Sequence, residues 1–357
     1  MTVFICDPGL ETYRGHHAAV SGGLAAALRA RGHDVRLLGY ARGMPEVLKA
    51  VGAEPFFDWY AYERASDDPL CGWLETLLIG GGPVAADLER LRLKPADAVI
   101  WPSMTTPQLL ASAGLPCPVI GVAGYTCHPG PEACAWRFAA RRAPGVQYAA
   151  TAELHAAVYR EALDAEVTVI ANPHGGPLRK RVRGAAVVLG VLGHQRPAKG
   201  FDLIPDVMRH VGGGARWLVH DSGRDMPEVH DELAALGVET NRGEVGDFGA
   251  LLDRCDALVL PYDRRAYADV HSGLVAEAMA CGMPIVVPAG TALEAQARGY
   301  GGLVAYQEDE VACGVRRLLM GFEQLAEAAF VDAQAYRARN GVEAFARDLM
   351  ELAYAPR

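Results

Sequence analysis

The sequence lacks the features of a disulfide-bonded, secreted or membrane-spanning protein. Its eight cysteines include no Cys-x-x-Cys pair, and Cys6, Cys255 and Cys281 lie in or beside apolar runs, as small core residues do. No apolar stretch is long enough to cross a bilayer, and the first residues carry no basic segment of a signal peptide. We therefore expect a soluble protein in a reducing compartment, with the cytoplasm as its location.

Positive charge is also scarce. The 34 lysines and arginines stand against 43 aspartates and glutamates, which gives a net charge of −9. This balance argues against nucleic acid as a partner. Basic residues concentrate at Arg179, Lys180, Arg181 and Arg183. That cluster is either a solvated linker or a surface for an anionic lipid or acceptor, so peripheral membrane contact stays open. The sequence predicts no oligomeric state.

Short apolar runs alternate with longer helical patterns, such as residues 18–31 and 246–253. The apolar runs show no polar alternation, which is typical of strands buried on both faces of a parallel sheet. The length of 357 residues suits two such sheets of about five strands each. The predicted strands are Thr2–Cys6, Val35–Gly39, Ala98–Trp101, Val119–Val122, Val167–Ala171, Ala186–Leu192, Arg216–His220, Ala257–Leu260, Pro284–Val287 and Gly302–Ala305.

Regular structure is interrupted near Pro173, Gly176 and Pro177. We predict an N-terminal domain over residues 1–177, a C-terminal domain over residues 185–335, and a helical tail over residues 336–357 that packs back on the first domain. Ligands of doubly wound sheets bind at the carboxyl ends of the strands. Two facing domains would form a cleft there, so the loops after the strands are where chemistry is expected.

The first such loop leads from Asp7 to Gly15, His16 and His17, and a helix follows. Glycine lets backbone amides approach a ligand, and a helix N-terminus favours an anion. The spacing is not Gly-x-Gly-x-x-Gly, so a nicotinamide cofactor is not supported. The alternative is an ordinary strand-to-helix turn.

A basic loop follows the predicted strand at residues 186–192 and contains His194, Arg196 and Lys199. Cations at the carboxyl end of a strand can neutralise a diphosphate and the charge that develops as it leaves. Lys199 and Arg196 are therefore catalytic candidates. The alternative is a solvated loop.

The segment 261–287 predicts a strand, a loop, a helix, a turn and a second strand. We expect His271 or Ser272 to cap the helix, and the amides near Ser272, Gly273 and Leu274 to form an anion site.

Two carboxylates add to this predicted anion site. Glu277 lies about one turn inside an otherwise apolar helix, where its carboxylate needs a partner such as a ribose diol. Asp269, in the preceding loop, could meet sugar hydroxyls.

Asp269 and Glu277 have seven residues between them, and Ala-Met-Ala, Gly282 and Pro284 follow. This pattern resembles the donor-binding signature of the retaining GT-B glycosyltransferases known as the glycosyl transferases group 1 family. Within the classification of carbohydrate-active enzymes, the pattern is similar to that of glycosyltransferase family four. Gly193-His194 and Lys199-Gly200 occupy the positions of the family's Gly-Arg and Lys-Gly. The chain departs from the family at Asp269, where Glu is usual, and at His194, where Arg is usual.

The resemblance implies roles for particular residues. Glu277 would bind the nucleotide ribose, Asp269 the sugar and Lys199 the phosphates. His128 lies where the family often places a histidine that faces the sugar. Gly15 and His16 would contact the donor, and the alternative is that His16 or His17 contacts the acceptor.

The resemblance also implies an α/β fold with the GT-B architecture, two facing doubly wound Rossmann-like domains with a C-terminal helix that returns to the first. The N-terminal domain would bind the acceptor, a small molecule or glycan, and the C-terminal domain a nucleotide-sugar donor such as a UDP- or GDP-sugar. The implied activity is hexosyl transfer with retention of configuration, without a metal or other cofactor.

Two alternatives remain open from the sequence. A sugar-nucleotide epimerase on the same architecture would need acid–base carboxylates from the first domain, for which Glu132 and Glu153 are available. A non-catalytic sugar-nucleotide-binding protein is favoured by the departures at Asp269 and His194. Cys127, His128 and Cys134 have no fourth ligand and no usual metal spacing, so a metal site is not predicted.

Overall fold

The chain divides into two units, each built around one parallel β-sheet. The computed structural model describes residues 1–357 except 14–16, 69, 124–126, 128, 175, 224–225, 269, 308–309 and 356–357. Unit 1 consists of Met1–Pro173 and Val342–Arg357, and unit 2 consists of His174–Gly341. The domain ranges predicted from the sequence, 1–177, 185–335 and 336–357, remain predictions. In the structure the chain passes from unit 1 to unit 2 between Pro173 and His174, and returns to unit 1 between Gly341 and Val342.

Unit 1 contains a seven-stranded sheet among its described residues. Its strands are β1 (Thr2–Asp7), β2 (Asp34–Tyr40), β3 (Ala53–Phe57), β4 (Ala98–Trp101), β5 (Val119–Ala123), β6 (Val146–Ala150) and β7 (Val167–Val169). Their order is β3-β2-β1-β4-β5-β6-β7, and every neighbouring pair is parallel. Along β1, Val3 and Ile5 enter one apolar cluster while Phe4 and Cys6 enter another. Both faces of the sheet are therefore buried, which explains why the strand sequences do not alternate with polar residues.

Six helices of unit 1 connect these strands in the described chain: α1 (His17–Ala30), α2 (Pro45–Val51), α3 (Gly72–Glu89), α4 (Thr106–Ala111), α5 (Pro131–Arg142) and α6 (Glu153–Leu163). A final helix, α14 (Val342–Ala353), packs against α1. Leu349 of α14 is fully buried in the same cluster as Val20 and Leu24 of α1. The end of the chain is thus part of the core of unit 1.

Unit 2 repeats the plan with six strands in its described residues. They are β8 (Val187–Val191), β9 (Ala215–Asp221), β10 (Glu239–Arg242), β11 (Ala257–Val259), β12 (Ile285–Pro288) and β13 (Leu303–Tyr306). The order is β10-β9-β8-β11-β12-β13, again all parallel. The helices are α7 (Ile204–Val211), α8 (Pro227–Ala235), α9 (Phe248–Asp253), α10 (Gly273–Cys281), α11 (Ala292–Gln296), α12 (Val311–Met320) and α13 (Phe322–Asn340). Short 3-10 turns lie at Pro197–Lys199 and Phe201–Leu203.

The prediction of two parallel-sheet, Rossmann-like units is confirmed, and each of the ten predicted strands overlaps an observed one. The sequence did not predict β3, β6 or β10. Strands β3 and β10 lie at sheet edges, where side chains stay partly exposed and no continuous apolar run is needed. Strand β6 ends in two alanines, which have low strand propensity, although it lies between β5 and β7.

The basic residues at 179–183 lie in unit 2, where acidic side chains and carbonyl groups of the same unit bind them. Arg179 donates to Asp253 Oδ1 at 2.7 Å, and the fully buried Arg181 side chain reaches the same oxygen at 3.1 Å. Lys180 pairs with Glu327, and Arg183 donates to a backbone carbonyl at 2.8 Å. The interpretation of this cluster as a solvated linker is wrong for Arg181, because its side chain is fully buried and pairs with the exposed carboxylate of Asp253.

None of the described helices is both long enough and apolar enough to cross a bilayer.

Leu349→Ala tests whether α14 belongs to the core of unit 1. We expect it to lower the free energy of unfolding by about 2–5 kcal/mol, because it leaves a cavity in a fully buried cluster. Urea unfolding followed by tryptophan fluorescence measures this, since four of the five tryptophans, at 59, 73, 101 and 136, lie in unit 1. Glu351→Ala, at a side chain that is 71% exposed, is the control. Equal stability of the two variants would contradict the packing.

Candidate functional site

The candidate site of unit 2 lies where the strand order of its sheet reverses. Strand β8 has β9 on one side and β11 on the other. The strands β9 and β10 are therefore added on one side of β8, and the strands β11 to β13 on the opposite side. Helix α7 contributes to the apolar cluster on one face of the sheet, and α10 to the cluster on the other. Crevices of this kind, at the carboxyl ends of the strands, are where open α/β sheets bind ligands.

The loops after β8 and β11 are joined closely at this crevice. The amide of Asp263 donates to the carbonyl of Ala198 at 3.0 Å. Gly200 has a φ of +61°, and a Cβ added there would lie 1.9 Å from the carbonyl oxygen of Pro261. Only glycine fits, because a side chain would be strained by the left-handed backbone and would collide with that carbonyl. The glycine after Lys199 thus fixes where the lysine lies.

Two cations lie beside two tyrosines in these loops. The Lys199 ammonium lies 5.5 Å from the ring centroid of Tyr262, and Arg196 donates to the Tyr267 hydroxyl at 3.1 Å. Burial, together with the charge of Arg196, lowers the pKa of Lys199 to about 8 against a smaller opposing effect of Asp221. Lys199 is partly buried, and no carboxylate among the described residues forms an ion pair with it, so its ammonium is well suited to an incoming anion.

The N-terminus of α10 meets Lys199 across Gly193. A Cβ added to Gly193 would lie 3.6 Å from Lys199 Nζ and 3.8 Å from Leu274 Cδ1. The first turn of α10, at Gly273 and Leu274, presents backbone N–H groups and the positive end of the helix dipole. A cation and a helix N-terminus therefore converge on one small space.

The capping of α10 differs from the expectation. Ser272 occupies the N-cap position, but its side chain makes no capping hydrogen bond, and His271 lies exposed before it. Instead, the Gln296 amide accepts from the Ser272 backbone N–H at 3.0 Å and donates to its carbonyl at 3.1 Å. The start of the helix is held by a side chain from α11 that the sequence did not identify. At the other end, Gly282 closes the helix with a φ of +66°.

Glu277, one turn into α10, has a partner that the sequence analysis missed. His174 Nδ1 lies 3.2 Å from Glu277 Oε1. The segment that carries His174 runs alongside α10, since a Cβ added to Gly176 would lie 2.4 Å from Sγ of Cys281 at the end of that helix. Burial and the charge of Glu277 raise the pKa of Cys281 and Tyr336 to about 12 each. The carboxylate is thus partly buried, contacts the His174 imidazole and lies near the Cys281 thiol and the Tyr336 phenol.

A second group of polar side chains supports the loop that carries Arg196 and Lys199. Asp221, fully buried at the end of β9, accepts from the Gln195 and Gly223 amides at 2.9 Å and 2.8 Å and contacts His230 Nε2 at 2.9 Å. Burial opposes ionisation of Asp221, but these hydrogen bonds outweigh it and hold its pKa below the usual value. The Gln195 side chain donates to the carbonyl of His220 at 2.9 Å. The loop therefore rests on a fixed polar base.

The remaining predicted site residues are distributed as follows. His194 is exposed, and its ring lies close to Gly223, where an added Cβ would be 2.8 Å from His194 Cε1. The other four, Gly15, His16, His128 and Asp269, lie outside the described residues. Within the described ranges, no group of three or more His, Cys, Asp or Glu side chains is placed to hold a metal ion.

A family model matches the part of the chain that carries this site. The model described as glycosyl transferases group 1 matches residues 185–320. No curated protein matches the chain in sequence.

Solved structures match the whole chain. It is similar to HepE of Anabaena in complex with UDP, with a TM-score of 0.66, 17% identity and coverage of 98% of this chain and 99% of that one. It is similar to a glycosyltransferase from Rickettsia africae, with a TM-score of 0.69, 11% identity and coverage of 99% and 97%. A protein of Listeria monocytogenes described as a candidate UDP-N-acetylglucosamine 2-epimerase is also similar, with a TM-score of 0.65, 13% identity and coverage of 98% and 94%. These likenesses show the fold, which is that of GT-B glycosyltransferase structures.

The lowered pKa of Lys199 predicts how anion binding depends on pH. A bound diphosphate raises this pKa, so affinity is full below about pH 8 and falls as pH rises through it, by up to about tenfold per unit. Calorimetric titration with UDP from pH 7 to 9.5 measures the fall. Lys199→Gln should bind more weakly without this fall.

Arg196→Gln is the matched control for that titration. It removes one cation but keeps Lys199, so the fall should remain and move to higher pH. An identical pH profile for wild type and Lys199→Gln would show that this lysine does not face the anion.

Proposed function

We propose that the protein is a glycosyltransferase that binds a nucleotide-sugar donor on unit 2 and transfers its sugar to a hydroxyl-bearing acceptor. One observation carries the proposal. The Lys199 ammonium and the first turn of α10 converge at Gly193, and Glu277 follows one turn later on the same helix. This arrangement provides an anion site and a diol-binding carboxylate at the spacing of one helical turn.

The dimensions of α10 suit a nucleoside diphosphate. Glu277 lies four positions after Gly273, which corresponds to about 6 Å along the helix axis. Side chains of a helix point towards its N-terminus, so the Glu277 carboxylate reaches back towards the anion site. A diphosphate at the first turn would therefore place its ribose hydroxyls near this carboxylate. UDP and UDP-glucose are ligands of the similar HepE structures, which supports a donor of this class.

Lys199 and Arg196 would act on the leaving group. When the bond between the anomeric carbon and the phosphate oxygen breaks, its electron pair leaves with the nucleoside diphosphate. Preorganised donors stabilise that charge more in the transition state than in the ground state, which lowers the barrier.

We also propose that the transfer is of a hexosyl group, needs no metal or other cofactor, and retains configuration. Metal independence rests on the two cations and the helix N-terminus, whereas hexosyl transfer and retention rest on the resemblance of the 269–284 segment.

His174 would position the ribose-binding carboxylate. Its Nδ1 contact with Glu277 Oε1 fixes one oxygen of the carboxylate and so limits its rotation. Asp269, His128, Gly15 and His16 remain proposed sugar or donor contacts on the strength of the resemblance, as His194 and His271 do.

The epimerase alternative finds little support in unit 1. Glu153 forms a surface ion pair with Arg160 at 2.5 Å, and its side chain is 70% exposed. Glu132 is buried on α5. Both lie in the first turn of a helix that follows a strand, Glu132 on α5 and Glu153 on α6, but the Glu153 carboxylate is already engaged by Arg160.

Calorimetric titration with UDP, GDP, ADP and dTDP tests the donor site. Glu277→Ala should weaken the preferred nucleotide by about 10- to 100-fold, the range expected for lost hydrogen bonds to a charged group. Glu323→Ala, an exposed glutamate on α13, is the control and should bind as wild type. Unchanged affinity in Glu277→Ala would remove the ribose assignment, and binding of none of the four nucleotides would remove the donor site.

The role of His174 is tested by a double-mutant cycle, in which nucleotide affinity is measured for His174→Ala, for Glu277→Ala and for the double variant. We expect His174→Ala to weaken nucleotide binding in the wild-type background and to have little further effect when Glu277 is already absent. Additive losses would show that His174 does not act through the carboxylate.

A further inference from the structure

Helix α3 of unit 1 turns an apolar face to solvent. The exposed positions over its middle turns are Leu74, Leu78, Ile79, Gly82, Pro83 and Ala86. They recur at intervals of three and four residues, which places them on one side of the helix. Leu78 and Ile79 are 61% and 56% exposed, and Leu70 in the preceding turn is 71% exposed. The outer side of a helix is normally polar, so a continuous apolar face marks a surface that binds another molecule.

The two halves of this face differ in size. The first half carries two leucines and an isoleucine, whereas the second half carries glycine, proline and alanine. A Cβ added to Gly82 would meet no neighbouring element within 4 Å in the described part of the chain, so the space above it is open. A surface that is raised in one half and low in the other fits an inverted copy of itself.

The two ends of α3 carry opposite charge. Residues 63–75 contain four acidic side chains and one basic side chain, and residues 89–94 contain three basic and one acidic. All of these side chains are exposed. Two copies of the helix therefore attract each other when they lie antiparallel, whereas parallel copies would bring like charges together.

We propose that α3 is the interface of a homodimer, in which the helices of two copies pack antiparallel about a twofold axis near Gly80. Positions 78 and 82 are equally far from position 80, as are positions 74 and 86, so each leucine of one copy meets a small residue of the other. Positions 68 and 92 are symmetric about the same point, so this register also pairs the acidic beginning with the basic end. One helix face is smaller than the roughly 800 Å² that each partner gives to a standard interface, so the dimer dissociates at micromolar concentration.

A lipid bilayer is the other partner that an apolar face could bind. Anionic headgroups would be repelled by the acidic residues at the beginning of α3. Binding to a bilayer also grows with the apolar area that is buried, so it would gain nothing from the small residues of the second half. A second copy of the chain uses both features.

Sedimentation velocity at protein concentrations from about 1 to 100 μM measures the dimer, and we expect the sedimentation coefficient to rise across that range. Leu78→Glu should weaken association by about tenfold or more, because it places a carboxylate against the apolar second half of the other copy. Leu154→Glu, the same substitution at a leucine of α6 that is 46% exposed, is the matched control and should associate as wild type.

Ala86→Leu separates a second copy from a lipid surface. The added side chain fills the low half that receives Leu74 of the other copy, so association should weaken by about tenfold, as in an overpacked contact. Binding to a bilayer would instead strengthen with the added apolar area. Thermal melting should be unchanged, because position 86 is exposed and leucine is a good helix former. Ala335→Leu, at an exposed position of α13, is the control.

An exchange of charges tests the antiparallel orientation. Arg92→Glu and Asp67→Lys should each weaken association about two- to fivefold at low salt, the range for exposed ion pairs. The double variant should recover wild-type association, because the charges at the two ends are then exchanged together. Additive weakening in the double variant would contradict the orientation.

Cys71 reports the register of the two helices. It is a free, exposed cysteine at the N-cap of α3 and lies as far before position 80 as Glu89 lies after it. Glu89→Cys should therefore form a disulfide-linked dimer under mild oxidation, in which residue 71 of one copy is joined to residue 89 of the other. Wild-type protein and Glu89→Cys combined with Cys71→Ser should not form it. Equal cross-linking without Cys71 would overturn the register.

A sedimentation coefficient that stays at the monomer value up to about 100 μM would overturn the dimer. Equal weakening by Leu78→Glu and Leu154→Glu would do the same, because the effect would then not depend on α3. Flotation with vesicles of phosphatidylcholine and phosphatidylglycerol identifies the other partner. A monomer that floats with these vesicles, and floats more strongly as Ala86→Leu, would assign the face to a lipid surface.

Discussion

The close approach of Gly200 to the carbonyl of Pro261 is the constraint on which the proposed donor site depends. It brings the loop after β8 against the loop after β11, at the point where the strand order of unit 2 reverses. With that contact made, Lys199 can lie only between the Tyr262 ring and the start of α10. Any side chain at position 200 would separate the loops and move the ammonium away from the helix N-terminus, so the position of the charge follows from a missing Cβ.

Both units place buried charge at the same topological point and treat it in different ways. In unit 2, Lys199 is partly desolvated and its pKa is lowered, which leaves it suited to an external anion. In unit 1, Asp7 is compensated internally by His17, Ser21 and a backbone amide.

The sequence predicted those features that depend on local pattern. Strand β1 was predictable because it is apolar on both faces, and Glu277 because a carboxylate in an apolar helix demands a partner. The identity of that partner was not predictable, since His174 reaches Glu277 only through the packing of its segment against α10. The burial of Arg181 and the support of α10 by Gln296 depend on tertiary contacts in the same way. Edge strands β3 and β10 have no apolar run from which to predict them.

The central claim is that the switch point of unit 2 holds a nucleoside diphosphate, and a crystal structure of the protein with UDP tests it most directly. The account predicts electron density for the diphosphate within hydrogen-bonding distance of Lys199 Nζ and the first-turn amides of α10, with a ribose hydroxyl on the Glu277 carboxylate. A nucleotide bound at another place, or a ribose that does not contact Glu277, would contradict it.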